Sequence, residues 1–171
     1  PTLLAALAMV KKAAAIANHA QGKLPEWKLR AIAEAADDVI TGHIRADAFP
    51  IDVLQGGAGT STNMNMNEVL ANLALQHLGR EAGDDATIHP NDDVNLSQST
   101  NDVYPTAVRL ALVLSARETS EAVERLAAAF ETKAEEFVDV VKIGRTQLQD
   151  AVPITLGREL GAYAVTLRED R

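Results

Sequence analysis

The feature that most constrains the fold of this chain is the segment 106–142, which contains neither glycine nor proline. Apolar residues recur along it at helical spacing, and a helix of that span would be roughly 55 Å long at about 1.5 Å per residue. Globular helices average about 11–12 residues, so a helix this long needs partners along its whole length. The pattern predicts an elongated helical bundle, shared between subunits.

The rest of the chain also favours helices. Pro105 is expected in the first turn of the long helix, where a missing N–H costs little. Further helices are predicted at 3–20, 25–40, 67–78 and 155–169, with an extended or strand-like segment at 49–54, a polar loop at 83–97 and a break at 144–153. We expect a mainly all-α fold, in which residues 1–100 form part of an N-terminal helical domain and residues 101–171 begin a long-helix bundle.

Composition excludes several classes of function. The net charge is −8, from 24 acidic and 16 basic residues, and the sequence has no basic run, so we expect no nucleic-acid partner. The absence of cysteine excludes disulfides and thiolate metal sites and fits a reducing cytoplasm. No apolar run approaches the roughly 20 residues of a membrane span, so no membrane partner is expected. Because the sequence starts at Pro1 and stops inside a helical pattern, we expect it to be part of a longer protein.

Two polar segments adjoin the starts of helical patterns. They are GGAGTSTNMN at 56–65 and STND at 99–102. Helix N-termini collect anions because their first N–H groups lack intrahelical partners and the helix dipole is positive there. Both segments are also typical of simple helix caps, with Asn101 or Asp102 as the cap of the long helix. Several such places in one chain favour a small ligand with more than one carboxylate.

Two more segments carry polar groups that stand out. His89, in HPND at 89–92, is expected in a turn, and the remaining histidines have no metal-ligand spacing. Arg145 is expected in a surface salt bridge, whereas Thr146 and Gln147 offer donors to a ligand. We predict no metal site, and no strong catalytic base stands out in the chain.

Taken together, these four segments closely resemble the aspartase/fumarase superfamily. GAGTSTNMN, HPNDDVNLSQSTNDVYPT and GRTQLQDAVP occur in the order and with the spacing of that family, and the resemblance covers essentially the whole chain. It implies the fold of that superfamily: a homotetramer whose long helices form a central bundle, with each active site built from three subunits. No cofactor is required, and activation by a divalent metal is left open.

Three positions favour the ammonia-lyase branch that acts on L-aspartate over the class II fumarases. Those fumarases usually carry Ser, Ser and His at the positions of Ala58, Thr100 and Gln147, respectively. The resemblance then implies reversible deamination of L-aspartate to fumarate and ammonia through an enediolate intermediate. A class II fumarase and a noncatalytic helical oligomerisation module remain the alternatives.

The resemblance also implies roles for single residues. The family's catalytic base is a serine on a mobile loop with the motif Gly-Ser-Ser-x-Met-Pro-x-Lys-x-Asn, which this sequence lacks, so the chain alone is expected to be inactive. By the same resemblance, Ser99 and Thr100 are expected to contact the β-carboxylate and Thr146 a substrate carboxylate. The residues expected around the amino group are Thr60, Asn101 and Gln147. A second, noncatalytic anion site is expected at His89, Asn91 and Asp92.

Overall fold

The structure is a computed structural model that describes residues 1–44, 46–52, 54 and 56–171. Two compact units, Pro1–Leu114 and Ser115–Arg171, divide the chain within its longest helix. The expected division near residue 100, which concerns the domains of the whole protein, stays a prediction. The main elements are α1 (Thr2–Ala20), α2 (Glu26–Ile40), α3 (Thr60–His77), α4 (Thr100–Glu136), β1 (Val141–Thr146), β2 (Gln149–Thr155) and α5 (Leu156–Asp170).

The core of the first unit is made by α1, α2 and α3. Their facing sides carry many alanines, whose small side chains let the helix backbones approach closely, and larger side chains such as Leu7, Ile32 and Leu70 are fully buried between them. Val103 and Ala107 from the start of α4 join the same cluster. The packing therefore holds the beginning of α4 against α3.

The membrane expectation needs a correction for α1. Among the described residues, this helix is long and apolar enough to cross a membrane by length and composition alone. A core helix passes the same test, and α1 packs Leu7, Ala8 and Ala15 into the core. The expected helix at 3–20 is confirmed, with α1 at Thr2–Ala20.

The third helix begins seven residues before the predicted 67, because α3 spans Thr60–His77. Gly59 occupies the cap position with φ 85°, a left-handed angle that glycine adopts without strain. The first turn of this helix is entirely polar, so the sequence shows no apolar helical period there.

Of the segment 49–54, the described residues form no strand, and Val53 lies outside them. The predicted loop at 83–97 contains a short helical turn, Pro90–Val94.

The long helix is confirmed, but both of its ends differ from the prediction. It covers 37 residues, Thr100–Glu136, so Pro105 lies in the second turn rather than the first. It ends six residues before 142, since the β-branched residues Val138, Val140 and Val141 lead into a strand. Pro105 also removes one N–H that would otherwise have bonded to the preceding turn.

The second unit contains a β-hairpin that the sequence did not predict. Strands β1 and β2 are antiparallel, with Thr146 opposite Gln149, and the two residues between them, Gln147 and Leu148, have φ of 49° and 61°. Two successive left-handed residues make the tight turn whose twist suits a hairpin. The predicted break at 144–153 is therefore mostly paired strand.

Helix α5 returns along the end of α4 within the second unit. The Thr155 hydroxyl oxygen accepts from the Arg158 N–H at 3.1 Å and caps the helix. Arg168 forms two parallel hydrogen bonds with Glu131, at 2.6 and 2.8 Å. These bonds raise the pKa of Arg168 and lower that of Glu131. The exposed ion pair links α5 to α4 within the second unit.

Candidate substrate-binding site

The start of α4 is capped by Ser99, not by Asn101 or Asp102 as the sequence suggested. The Ser99 Oγ accepts from the Asn101 N–H at 3.2 Å, and the Asp102 carboxylate accepts from the Ser99 N–H at 3.2 Å. This reciprocal pair is a capping box. The capping box uses the Asp102 side chain, whereas Asn101 is exposed in the first turn of the helix.

Thr100 is the first residue of α4, and its hydroxyl oxygen has a defined partner. The Asn63 Nδ2 donates to the Thr100 Oγ1 at 3.1 Å. This oxygen accepts a hydrogen bond, and its own proton is available to donate to a ligand. Thr100 is half-buried at the positive end of a 37-residue helix. The arrangement suits an anionic ligand.

Thr60 reaches the same region because α3 begins against α4. A Cβ on Gly59 would lie 2.3 Å from the Tyr104 ring, so only glycine permits this approach. Thr60 is exposed at the first position of α3. An open cleft of about 710 Å³ adjoins it, lined by Ala58, Gly59, Asn101, Tyr104, Pro105, Val108 and Arg109. The structure therefore brings Thr60, Thr100 and Asn101 to adjoining helix N-termini.

A buried lysine that the sequence analysis did not single out is connected to Thr100 by hydrogen bonds through Asn95 and Asn63. Lys11 is fully buried, and its Nζ donates to the Asn95 Oδ1 at 2.7 Å. Burial lowers the pKa of Lys11 from 10.5 to about 7, and the charge of Asp102 opposes part of that shift. The signal was present in the sequence, since Lys11 follows Leu7 by four residues and precedes Ala15 by four, in the middle of the buried stripe of α1.

Thr146 and Gln147 lie in the second unit, at the tip of the hairpin. Both are exposed, and neither is at a helix N-terminus, so the helix-dipole argument does not apply to them. Arg145 forms the expected surface ion pair, with Asp150 at 3.2 Å. The described residues of the first unit thus hold the predicted groups Thr60, Ser99, Thr100 and Asn101, and the hairpin of the second unit presents the other two.

The HPND segment is a capped turn. The His89 Nδ1 accepts from the N–H groups of Asn91 and Asp92, at 3.1 Å each. The carboxylate of Asp93 accepts from the His89 N–H at 2.9 Å and pairs with Lys28 at 2.5 Å. The backbone donors that would face an anion are already engaged with His89. The second anion site at His89, Asn91 and Asp92 stays a prediction.

The chain matches known proteins along its whole length. A family model described as Lyase covers residues 2–171. The chain belongs to this lyase family. Its membership of the aspartase/fumarase superfamily, and the mainly helical fold expected from that resemblance, are confirmed. Within the described residues there is no group of three histidine, cysteine or acidic side chains that could hold a metal ion.

Individual relatives carry related names. The aspartate ammonia-lyase of Pseudomonas aeruginosa is 55% identical over 170 residues, which are 99% of this chain and 36% of the relative. A crystal structure from Brucella melitensis, described as fumarate lyase:delta crystallin, is 66% identical with a TM-score of 0.86 and is matched over 99% of this chain and 39% of its own. The class II fumarase of Schistosoma mansoni is 38% identical with a TM-score of 0.81, over 98% of this chain and 35% of its own. The chain therefore spans little more than a third of the length of these relatives.

Proposed function

We propose that the whole protein containing this chain is a carbon–nitrogen lyase that converts L-aspartate reversibly to fumarate and ammonia. The observation that carries the proposal is the Thr100 hydroxyl, which starts α4 with its oxygen already accepting from Asn63. Its proton is then available to donate to a ligand. It occurs in a chain 55% identical to an aspartate ammonia-lyase. A carboxylate of the substrate is the acceptor that this position favours.

The chemistry requires a carboxylate that becomes more negative. A base takes a proton from the carbon next to the β-carboxylate, and the electron pair moves into that carboxylate to give an enediolate. The electrons then return to form the carbon–carbon double bond as the carbon–nitrogen bond breaks and ammonia leaves. Donors fixed at a helix N-terminus stabilise the intermediate without reorganising.

The polar groups divide between the two ends of the substrate. In this proposal Ser99 and Thr100 hold the β-carboxylate, since they stand at the start of α4. Thr60, at the start of α3, and Asn101, in the first turn of α4, surround the amino group. Their oxygens are acceptors that an ammonium group requires. Thr146 and Gln147 lie on an exposed hairpin tip, from which they would reach the substrate of another subunit.

The catalytic base would come from a part of the whole protein outside this sequence. The chain contains no Gly-Ser-Ser-x-Met-Pro-x-Lys-x-Asn segment, which carries the base in the family it resembles. We therefore propose that the 171-residue chain alone does not turn over L-aspartate. Turnover by the isolated chain would contradict this assignment.

We also propose that the whole protein is a homotetramer with shared active sites. Large apolar side chains on α4 are exposed in the single chain, among them Leu112, Val113 and Leu126 at 65, 70 and 47%. Exposed apolar surface of this kind marks an interface. Light scattering coupled to size exclusion would test the assembly, and a monomer would overturn it. The cytoplasmic location stays a prediction.

One assay tests the reaction. The whole protein is given L-aspartate and, separately, L-malate, and fumarate is followed by its ultraviolet absorbance. Fumarate from aspartate alone is the expected result. Fumarate from malate alone would make the protein a fumarase, the alternative favoured by its likeness to the Schistosoma mansoni enzyme. No reaction with either would leave a noncatalytic helical oligomerisation module.

A further inference from the structure

A fully buried lysine is the least expected group in the first unit. Lysine is almost never fully buried unless it is paired, because taking an ammonium group out of water is costly. The hydrogen-bond partner of Lys11 is the uncharged carboxamide oxygen of Asn95, at 2.7 Å, rather than a carboxylate. The neighbouring Lys12 instead pairs with Asp37 at the surface, at 2.6 Å. A residue this costly to bury points to a role beyond packing.

The hydrogen bonds that leave Asn95 have a fixed direction. The Asn95 Nδ2 donates to the backbone oxygen of Gln98 at 3.3 Å, so the carboxamide oxygen is the atom that faces Lys11. The same oxygen accepts from the Asn63 Nδ2 at 3.3 Å. That donor also reaches the Thr100 Oγ1 at 3.1 Å. The chain of bonds runs from Lys11 to Asn95, with Asn63 donating both to Asn95 and to Thr100.

The side-chain amide of Asn63 is held in one of its two possible orientations. Its Oδ1 is buried and has no hydrogen-bond partner among the described residues. A flipped carboxamide would accept from Thr100, but it would then place its oxygen against the Asn95 oxygen, where two acceptors repel. The Asn95 oxygen, itself held by Lys11, therefore keeps the amide nitrogen of Asn63 towards Thr100.

We propose that Lys11 is a positioning residue for the substrate site: acting through Asn95, it keeps the amide nitrogen of Asn63 on the Thr100 oxygen, so that the Thr100 proton is left for a substrate carboxylate. The identity of that ligand as a dicarboxylate rests on the proposed function. Lys11 does not touch the ligand in this scheme. Its amine has an N–H to give to Asn95 whether it is protonated or neutral, so the direction of the bonds holds in both states.

A double-mutant cycle in the whole protein separates positioning from packing. Lys11→Met keeps the length of the side chain and removes its donors, and Thr100→Val keeps the shape and removes the hydroxyl. The probe is succinate, a dicarboxylate that cannot undergo the reaction, measured by calorimetry. We expect Lys11→Met to weaken succinate binding about tenfold, as for one hydrogen bond to a charged group. In the Thr100→Val background the same change should cost less than about twofold.

Matched variants guard against a folding defect. Lys12→Met alters the neighbouring lysine, which pairs with Asp37 at the surface, and should leave succinate affinity unchanged. Asn95→Leu, which removes the acceptor that holds Asn63, should behave like Lys11→Met. If Lys11→Met loses the circular-dichroism spectrum of the wild type, the Asn95→Leu and Thr100→Val cycle takes its place.

The outcomes distinguish this inference from the proposed reaction. A loss on Lys11→Met that persists undiminished with Thr100→Val would overturn the positioning role, even in a wild type that deaminates L-aspartate. A wild type that binds succinate with the expected coupling but reacts with neither L-aspartate nor L-malate would overturn the reaction and leave the positioning role standing. A wild type that does not bind succinate would overturn both.

Discussion

The side-chain amide of Asn63 donates to the hydroxyl oxygen of Thr100 across 3.1 Å and joins the first turn of α3 to the first residue of α4. Each residue lies in a polar segment that, taken alone, is typical of a helix cap. In the folded chain Asn63 is fully buried and Thr100 half-buried. This hydrogen bond therefore connects the polar N-terminus of α3 directly to that of α4.

Removal of the Thr100 hydroxyl should affect activity far more than stability. In the whole protein, we expect Thr100→Ala to lower kcat/KM for L-aspartate by about 10- to 100-fold, as for a hydrogen bond to a charged group. Thermal unfolding should change little, since loss of one such contact costs about 1 kcal/mol and Asn63 keeps its bond to Asn95. Turnover that survives the change would remove Thr100 from the substrate site.

The approach of α3 to α4 should depend on Gly59 having no side chain. Gly59→Ala introduces a Cβ 2.3 Å from the Tyr104 ring at a residue with φ of 85°. We expect it to lower the free energy of unfolding by about 1–3 kcal/mol and to raise KM. Gly56→Ala is the matched control, because a Cβ there meets no atom within 4 Å. Equal effects of the two changes on urea unfolding would contradict the packing role of Gly59.

In the second unit, the start of α5 should be equally sensitive to a methyl group. A Cβ on Gly157 would lie 2.3 Å from the carbonyl oxygen of Ala134, whereas one on Gly161 would lie 3.8 Å from the Ala134 Cβ. Gly157→Ala should destabilise by about 1–3 kcal/mol. Gly161→Ala should be neutral or stabilise by up to about 1 kcal/mol, because alanine favours helix. A thermal midpoint for Gly157→Ala at or above that of Gly161→Ala would show that α5 does not depend on this approach.

Buried Lys11 should make stability depend on pH. Its pKa is about 7 in the folded chain and 10.5 without burial, with Asp102 as the charged group that opposes the shift. Between those values the unfolded chain binds more protons than the folded chain, so the free energy of unfolding increases as the pH is raised from 7 to 10.5. Relative to Lys11→Met, the free energy of unfolding in urea should rise by up to about 1.4 kcal/mol per pH unit in this window. Parallel curves for the two proteins would show that the lysine is not held in a desolvated state.

Local sequence patterns were sufficient for most helices. The apolar period of α1 and α2 gave both helices, and the lack of glycine and proline gave most of α4, because helices depend on contacts three and four residues apart. The start of α3 was missed because its first turn, residues 60–63, is entirely polar, and Asn63 is fully buried there without marking an apolar period. The hairpin was missed because Gln147 and Leu148 form its left-handed turn without glycine.

The sequence by itself determined the family, the long helix and the polar segments at the helix starts, since each is a local pattern. Only the tertiary structure decided which polar groups meet. Lys11 and Asn95 are 84 residues apart and Asn63 and Thr100 are 37 apart, and no local period relates such positions. The packing of α1 and α3 around residues 94–100 places their side chains within hydrogen-bond distance. Once they are buried there, each donor must find an acceptor, and this requirement makes Asn63 the donor to the Thr100 oxygen.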